Sequence, residues 1–314
     1  MARNRDTAAS RDPGDIGIFL FHLKTLFLFT KSDFKTVMLP QSVFALVLAS
    51  SKVGSVMLPT ISGREIIIRF PSMIAWTWLH MLITAVSNQR QPESIAEDKL
   101  NKPWRPLPAA RLSPQQAQAL LRAAIPLALI FSFLLGNFVP SVTLMAFLWL
   151  YNDLDGGGAG PLLRNVLNAI GLSCFGLGAT TALFAGDIST DGQHILGRWM
   201  ALMAAMMATT VQAQDFPDTA GDTARGRKTI PVLYGRRLAR ISLAAPAIIW
   251  SITIPAFWNV TPIAWLVPMI IGGVMAALTI LRWDQVSNER VWMLWCLWQT
   301  AMYLLPLFSR TNSS

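Results

Sequence analysis

Residues 241–281 read ISLAAPAIIWSITIPAFWNVTPIAWLVPMIIGGVMAALTIL, forty-one positions without an Asp, Glu, Lys or Arg. With its flanks this stretch divides into two apolar segments, near 238–257 and 261–282. A helix rises about 1.5 Å per residue, so each is long enough to cross roughly 30 Å of hydrocarbon. Working outward, the same character recurs near 34–54, 65–88, 114–136, 138–152, 163–186, 194–213 and 290–308. The runs are continuously apolar rather than alternating, which excludes membrane strands and leaves helices. The expected fold is therefore all-α, a polytopic membrane bundle of about nine transmembrane helices.

Composition agrees. The 314 residues are 53% hydrophobic and only 14% charged, where a soluble domain carries about 25% charged residues. The net charge of +9 implies no nucleic-acid partner, because excess Lys and Arg in a membrane protein collects in cytoplasmic loops. Two long polar loops, 89–113 and 214–237, fit that role. The first holds Arg90, Lys99, Lys102, Arg105 and Arg111, and the second Arg225, Arg227, Lys228, Arg236 and Arg237. The opposite connections, near 137–141, 187–193 and 258–262, contain no Lys or Arg. The positive-inside rule puts both long loops in the cytosol, and an endomembrane such as the endoplasmic reticulum fits this topology. Residues 1–33 read as a polar tail, disordered over 1–15, followed by an interfacial helix over 16–30; residues 34–314 form the transmembrane unit. No cleaved signal peptide is evident. Cys174 and Cys296 both lie in apolar runs and offer neither a disulfide framework nor a zinc spacing.

The chemistry concentrates where two spans meet the basic loops. The second cluster is Asp215-Phe-Pro-Asp218-Thr-Ala-Gly-Asp222. Steps of three and seven place the three carboxylates along one helix face, where they repel unless a cation lies between them. Mg²⁺ suits such a site, being a hard ion held by one or two carboxylates, phosphate oxygens and water. Arg225, Arg227 and Lys228 follow at once and can clamp phosphate. The first cluster runs from Asn88 and Gln89 through Pro92, Glu93, Glu97 and Asp98 to Lys102 and Arg105. Pro92 should end or kink the span; Asn88 and Gln89 offer neutral amide oxygens to a hard ion. Taken singly, each cluster could be a solvated loop whose acids and bases merely pair. Their recurrence at two equivalent helix ends, a weak internal repeat, points instead to one shared cavity. Tyr151-Asn152-Asp153-Leu-Asp155-Gly-Gly-Gly lies on the same side and is either a cavity floor or a Gly-rich turn. Arg164 and Asn168 begin the next span and could face the same cavity. His80 reads as a packing histidine or, less simply, as a base.

With both clusters in view, the chain resembles the UbiA superfamily of intramembrane prenyltransferases. Asp215 through Asp222, with Gly226, Thr229 and Leu-Tyr-Gly235, is similar to the family's second aspartate-rich motif, and Arg105-Pro106-Leu-Pro108 to the end of its first. The resemblance implies a helical bundle holding a prenyl diphosphate through Mg²⁺, with the chain in a lipid-facing cavity. The implied metal set is Asn88, Gln89, Glu93, Glu97, Asp98, Asp215, Asp218 and Asp222. The implied diphosphate set is Lys102, Arg105, Arg225, Arg227 and Lys228, and Asp215, Asp218 and Asn88 would carry catalysis. The first motif departs from its usual Asn-Asp-x-x-Asp-x-x-x-Asp form. Asn88 matches its Asn, but Gln89, Pro92 and Ala96 stand where the aspartates would be, and Asn101 where an Arg would be. In this the chain looks like the fungal UbiA-type terpene cyclases, which ionise farnesyl diphosphate and cyclise it without an acceptor. The alternatives are transfer of a prenyl group to an aromatic acceptor and, remotely, cation-coupled transport. For a carbocation the aromatic candidates are Trp76, Trp78, Phe147, Trp149, Phe175 and Phe184, all of which could equally serve packing.

Overall fold

The computed structural model describes residues 15–188 and 193–310. The tail expected over 1–15 lies outside these residues but for Asp15, as does part of the 187–193 connection. Fourteen α-helices follow in order: α1 Asp15–Thr30, α2 Leu39–Ser50, α3 Lys52–Met57, α4 Gly63–Gln89, α5 Pro92–Asn101, α6 Pro114–Leu134 and α7 Phe138–Asn152. The rest are α8 Gly156–Ala159, α9 Pro161–Leu183, α10 Gln193–Thr210, α11 Asp215–Arg225, α12 Ile230–Phe257, α13 Pro262–Leu281 and α14 Gln285–Leu304. Among the described residues no strand forms beyond an isolated bridge.

Every apolar segment expected to be helical is helical. Among the described residues, six helices can cross a membrane by length and composition: α4, α6, α9, α12, α13 and α14 with its 3₁₀ extension to Phe308. The expected count of about nine includes segments that the chain divides or shortens. Residues 34–54 are not one helix. A π-helical turn, Phe34–Met38, leads into α2, and Ser51 then turns extended and caps α3 by accepting from the Gly54 N–H. Helix α7 has 15 residues, about 22 Å at the α-helical rise. Helix boundaries follow local chemistry: Ser62 with Glu65 and Ser113 with Gln116 form capping boxes that start α4 and α6. The span does end before Pro92: α4 stops at Gln89, Arg90 and Gln91 cap the two helices, and Pro92 opens α5.

Large apolar side chains such as Ile67, Phe133, Ile263 and Leu281 are exposed, as expected of a lipid-facing surface. The interior is aromatic, and many of its polar atoms are satisfied between helices. Trp295 Nε1 donates to Thr210 at 2.9 Å and Trp298 Nε1 to Ser251 at 2.9 Å. The Trp76 indole donates to both Ser132 and Ser141 at 3.0 Å. His80 belongs to this network. Its Nδ1 meets the Trp76 carbonyl at 2.8 Å, so it must donate there, and its Nε2 accepts from the Ser141 hydroxyl at 2.8 Å. With both nitrogens engaged and the ring fully buried, His80 is a packing residue.

Gly178 of α9 lets α4 come close. A Cβ at that position would lie 1.9 Å from the Trp76 ring, whereas one at Gly197 of α10 would meet nothing. Gly178→Ala should therefore cost about 1–3 kcal/mol by overpacking, and Gly197→Ala should be neutral or slightly stabilising. Thermal unfolding in detergent micelles checks the contrast; equal shifts for the two would contradict the packing described.

Candidate active site

The repeat legible in the sequence has a structural counterpart: an apolar helix, a short polar helix, a basic loop and a span, once at α4–α5 and once at α10–α11. The two short helices lie face to face. Gly221 of α11 makes this possible, since a Cβ there would stand 2.2 Å from the Asn101 amide nitrogen and 2.8 Å from Glu97 Cγ. Polar bonds then cross the joint. Lys102 Nζ donates to Asp218 Oδ2 at 2.5 Å, and Asn101 Nδ2 to the Asp218 carbonyl at 3.2 Å. Glu97 accepts from Arg225 at 3.1 Å and from Arg227 at 3.2 Å, and Arg227 also donates to Asp222 Oδ1 at 3.1 Å. Within the first half, Arg105 Nη1 donates to both oxygens of Asp98, at 2.8 and 3.0 Å.

Behind the joint opens a cavity of about 620 Å³. One end carries Lys102, Arg105, Arg227, Glu97, Asp98 and Asp218; the other carries Met81, Leu144, Phe147, Leu172 and Phe175. Asn88 and Gln89 line it as well, as do Tyr151, Asn152, Arg164 and Asn168. Tyr151-Asn152 is thus cavity wall rather than a bare turn.

The remaining expected residues lie elsewhere. Asp215 and Asp222 are buried, at 1% and 0% exposure, and do not line the cavity. Asp215 Oδ1 accepts from Arg164 at 2.8 and 3.2 Å, while Arg164 Nη1 reaches the Tyr151 hydroxyl at 2.5 Å. Burial raises the Asp215 carboxyl above its usual range, with Arg164 pulling against it. Burial likewise pushes Asp222 up to about 7 against Arg164 and Arg227, and raises Asp98 against Arg105. Glu93 is exposed and, with Arg225, borders a smaller neighbouring cavity of about 380 Å³. Lys228 is exposed and lines neither. Helix α5 presents Ser94, Glu97 and Asp98 inward and leaves Glu93 out. Among the described residues no three Asp, Glu, His or Cys side chains gather as a metal cluster by themselves; of the eight expected ligands Asn88, Gln89, Glu97, Asp98 and Asp218 line the cavity, and Glu93, Asp215 and Asp222 do not.

Several buried polar atoms at the cavity have no partner among the described residues. Arg105 Nε, Arg227 Nε and Gln214 Nε2 are such donors, on residues that line the cavity. They suit an anion with many oxygens. The Gln89 Oε1 acceptor is buried and unpartnered too, and with the Asp218 carboxylate and the Asn88 amide it offers oxygens of the kind Mg²⁺ accepts. Sequence reading missed Lys31, Asp33, Lys35, Trp104 and Trp292, all on the wall. Lys31 sits 4.6 Å over the Trp104 ring and Lys35 5.8 Å over that of Trp292. The charged run Lys31-Ser-Asp-Phe-Lys35, set at the start of an apolar segment, was the available signal.

A mouth rich in unpartnered donors thus opens onto an apolar pocket within a bundle of apolar helices. Residues 38–301 match the model of the UbiA prenyltransferase family, and the chain belongs to that family. It is 33% identical over 293 residues to the fumagillin beta-trans-bergamotene synthase of Aspergillus fumigatus, covering 92% of this chain and 93% of the relative. It is 28% identical over 296 residues to the somaliensene A/B synthase of Streptomyces somaliensis, covering 90% and 91%. The solved structure of a UbiA homolog from Archaeoglobus fulgidus bound to GPP and Mg²⁺ superposes with a TM-score of 0.61 at 14% identity, over 90% of this chain and 99% of that one. The protein is thus an integral membrane enzyme that acts on a prenyl diphosphate, and it resembles the fungal UbiA-type terpene synthases.

The buried Arg164–Asp215 pair supplies a direct check of the floor. Arg164→Ala leaves a carboxylate buried without its partner and should cost about 3–5 kcal/mol. Adding Asp215→Asn should recover part of the loss in thermal unfolding; a double variant no more stable than the single one would contradict the pairing.

Proposed function

We propose that this chain is a Mg²⁺-dependent cyclase that ionises farnesyl diphosphate and closes the C15 chain to a sesquiterpene. The observation that carries the reading is the polarity of one cavity: unpartnered donors at Arg105, Arg227 and Gln214 at one end and an aromatic, apolar wall at the other. The 33% identity to a bergamotene synthase favours cyclisation over transfer. Its volume, about 620 Å³, lies in the range of small-ligand pockets, about 300–1,000 Å³.

Arg105, Arg227 and Lys102 hold the diphosphate, and Asp218 with the amide oxygens of Asn88 and Gln89 would hold Mg²⁺. Bound there, the ion would offset the charge that grows on the leaving group. Asp215 and Asp222 act from beneath by anchoring Arg164 and Arg227. When the allylic C1–O bond breaks, its electron pair leaves with diphosphate and a cation stays in the apolar end. Of the six aromatic candidates named from sequence, only Phe147 and Phe175 line the cavity. Trp76 and Phe184 are buried in the core and Trp149 is 59% exposed. Phe147 and Phe175 therefore face the cation, while the apolar wall keeps water from it. An alkene of the same chain then attacks the cation, and the reaction closes when the cyclised cation loses a proton to the departed diphosphate. The basic loops lie in the cytosol, as the positive-inside rule requires, and an endoplasmic-reticulum membrane suits the topology.

Membranes carrying the protein, given farnesyl diphosphate and Mg²⁺, should release a cyclic hydrocarbon detectable by gas chromatography. Asp218→Ala should abolish it. Product that forms only when a phenolic acceptor is added would sink the cyclase reading, and wild-type turnover in Asp218→Ala would refute the role of that carboxylate.

Phe147→Leu and Phe175→Leu remove a cation–π contact worth about 0.5–2 kcal/mol. Each should slow turnover roughly 2- to 30-fold, the same energy expressed as a rate, and change the product ratio. Trp149→Leu should do neither, and an equal effect at Trp149 would contradict the assignment.

A further inference from the structure

Five carboxylates line the cavity: Asp33, Glu97, Asp98, Asp218 and Glu289. Glu97 is held by Arg225 and Arg227, Asp98 by Arg105 and Asp218 by Lys102. Glu289 is exposed. Asp33 is half-buried, and among the described residues its carboxylate accepts no hydrogen bond and forms no ion pair. The cations that act on it electrostatically, Arg105, Lys102 and Lys35, do not offset its burial, which raises the carboxyl above the usual range. Two of them are committed elsewhere, Lys102 to Asp218 and Arg105 to Asp98, and Lys35 rests over Trp292.

A second observation concerns the same wall. Gln89 is 1% exposed and lines the cavity. Its Nε2 donates to the Phe29 carbonyl at 3.0 Å, at the end of α1 and four residues before Asp33. That bond fixes the amide, and its Oε1 is left buried without a donor. An ionised carboxylate and an amide oxygen are both acceptors, so neither can satisfy the other. A diphosphate in the cavity would repel Asp33 rather than relieve it. A hard divalent cation relieves both groups, since it takes a carboxylate, an amide oxygen and phosphate oxygens together.

We propose that Asp33, from the N-terminal wall, is a ligand for the divalent cation that accompanies the diphosphate, working with Gln89 Oε1. The inference rests on the diphosphate reading above and extends it to a segment outside both acidic clusters. It also gives the N-terminal wall a chemical role, because residues 31–37 then carry a charge that helps to seat the metal in addition to enclosing the cavity.

The test uses the full chain in detergent micelles with inorganic diphosphate, titrated with Mn²⁺ as a paramagnetic substitute for Mg²⁺. Free Mn²⁺ is read by electron paramagnetic resonance, with no turnover involved. Asp33→Asn, nearly isosteric, should weaken Mn²⁺ binding at least about tenfold with an unchanged unfolding temperature, and Asp33→Glu should restore part of it. Gln89→Met, which keeps the volume and removes the oxygen, should also weaken binding and serves as the second variant. Glu289→Gln should leave it as in the wild type. Asp33→Asn and Gln89→Met binding Mn²⁺ as the wild type does, while Asp218→Asn binds it poorly, would overturn this proposal and leave the diphosphate reading standing. A wild-type chain that binds no Mn²⁺ in the presence of diphosphate would overturn both.

Discussion

The structure depends on the polar joint between α5 and α11. Two short helices, contributed by opposite halves of the chain, meet at Gly221 and are held by Lys102–Asp218 and by Glu97 between Arg225 and Arg227. Each of these ions gives up hydration at the mouth of an apolar bundle, so each is tolerable only with its partner in place. The joint is consequently a constraint on geometry more than a source of stability. It sets where Arg227, Arg105 and Asp218 stand relative to one another, and desolvation makes their charges act strongly on whatever anion enters.

The aromatic half of the cavity follows from the same arrangement. The spans that wall the cavity, α4 and α9 in particular, also present Met81, Leu172 and Phe175 to its interior. Their mutual position is fixed deeper down by Trp76 against Gly178 and by the Trp76–Ser132–Ser141–His80 network. The polar end and the apolar end are therefore rigidly related, which suits the proposed reaction, in which a bond breaks at one end and a cation is guided at the other.

Much of this was legible in the sequence, and the exceptions have causes. Apolar runs gave the helices because hydropathy is a local property. They blurred the number of spans because helix length and breaks, such as Ser51 turning extended after α2, depend on backbone conformations that hydropathy does not encode. Asp218, Lys102, Arg105 and Arg227 could be found because charge beside an apolar span is rare. The inward face of α5 is harder to read: Ser94, Glu97, Asp98 and Asn101 carry the helical spacing that turns inward, while Glu93, equally acidic, stays outside. Asp33, Trp104 and Trp292 come from distant segments that only tertiary packing brings to one wall.

If a single cavity ionises a prenyl diphosphate and completes the reaction within the same chain, leaving group and product must appear together. Phosphorus NMR on the protein in lipid vesicles, with farnesyl diphosphate as the sole organic substrate and Mg²⁺ present, measures this most directly when paired with product analysis. The predicted result is one inorganic diphosphate released for each cyclic hydrocarbon formed, with no acceptor added. Release of diphosphate only after an aromatic acceptor is supplied, or no release at all, would contradict it.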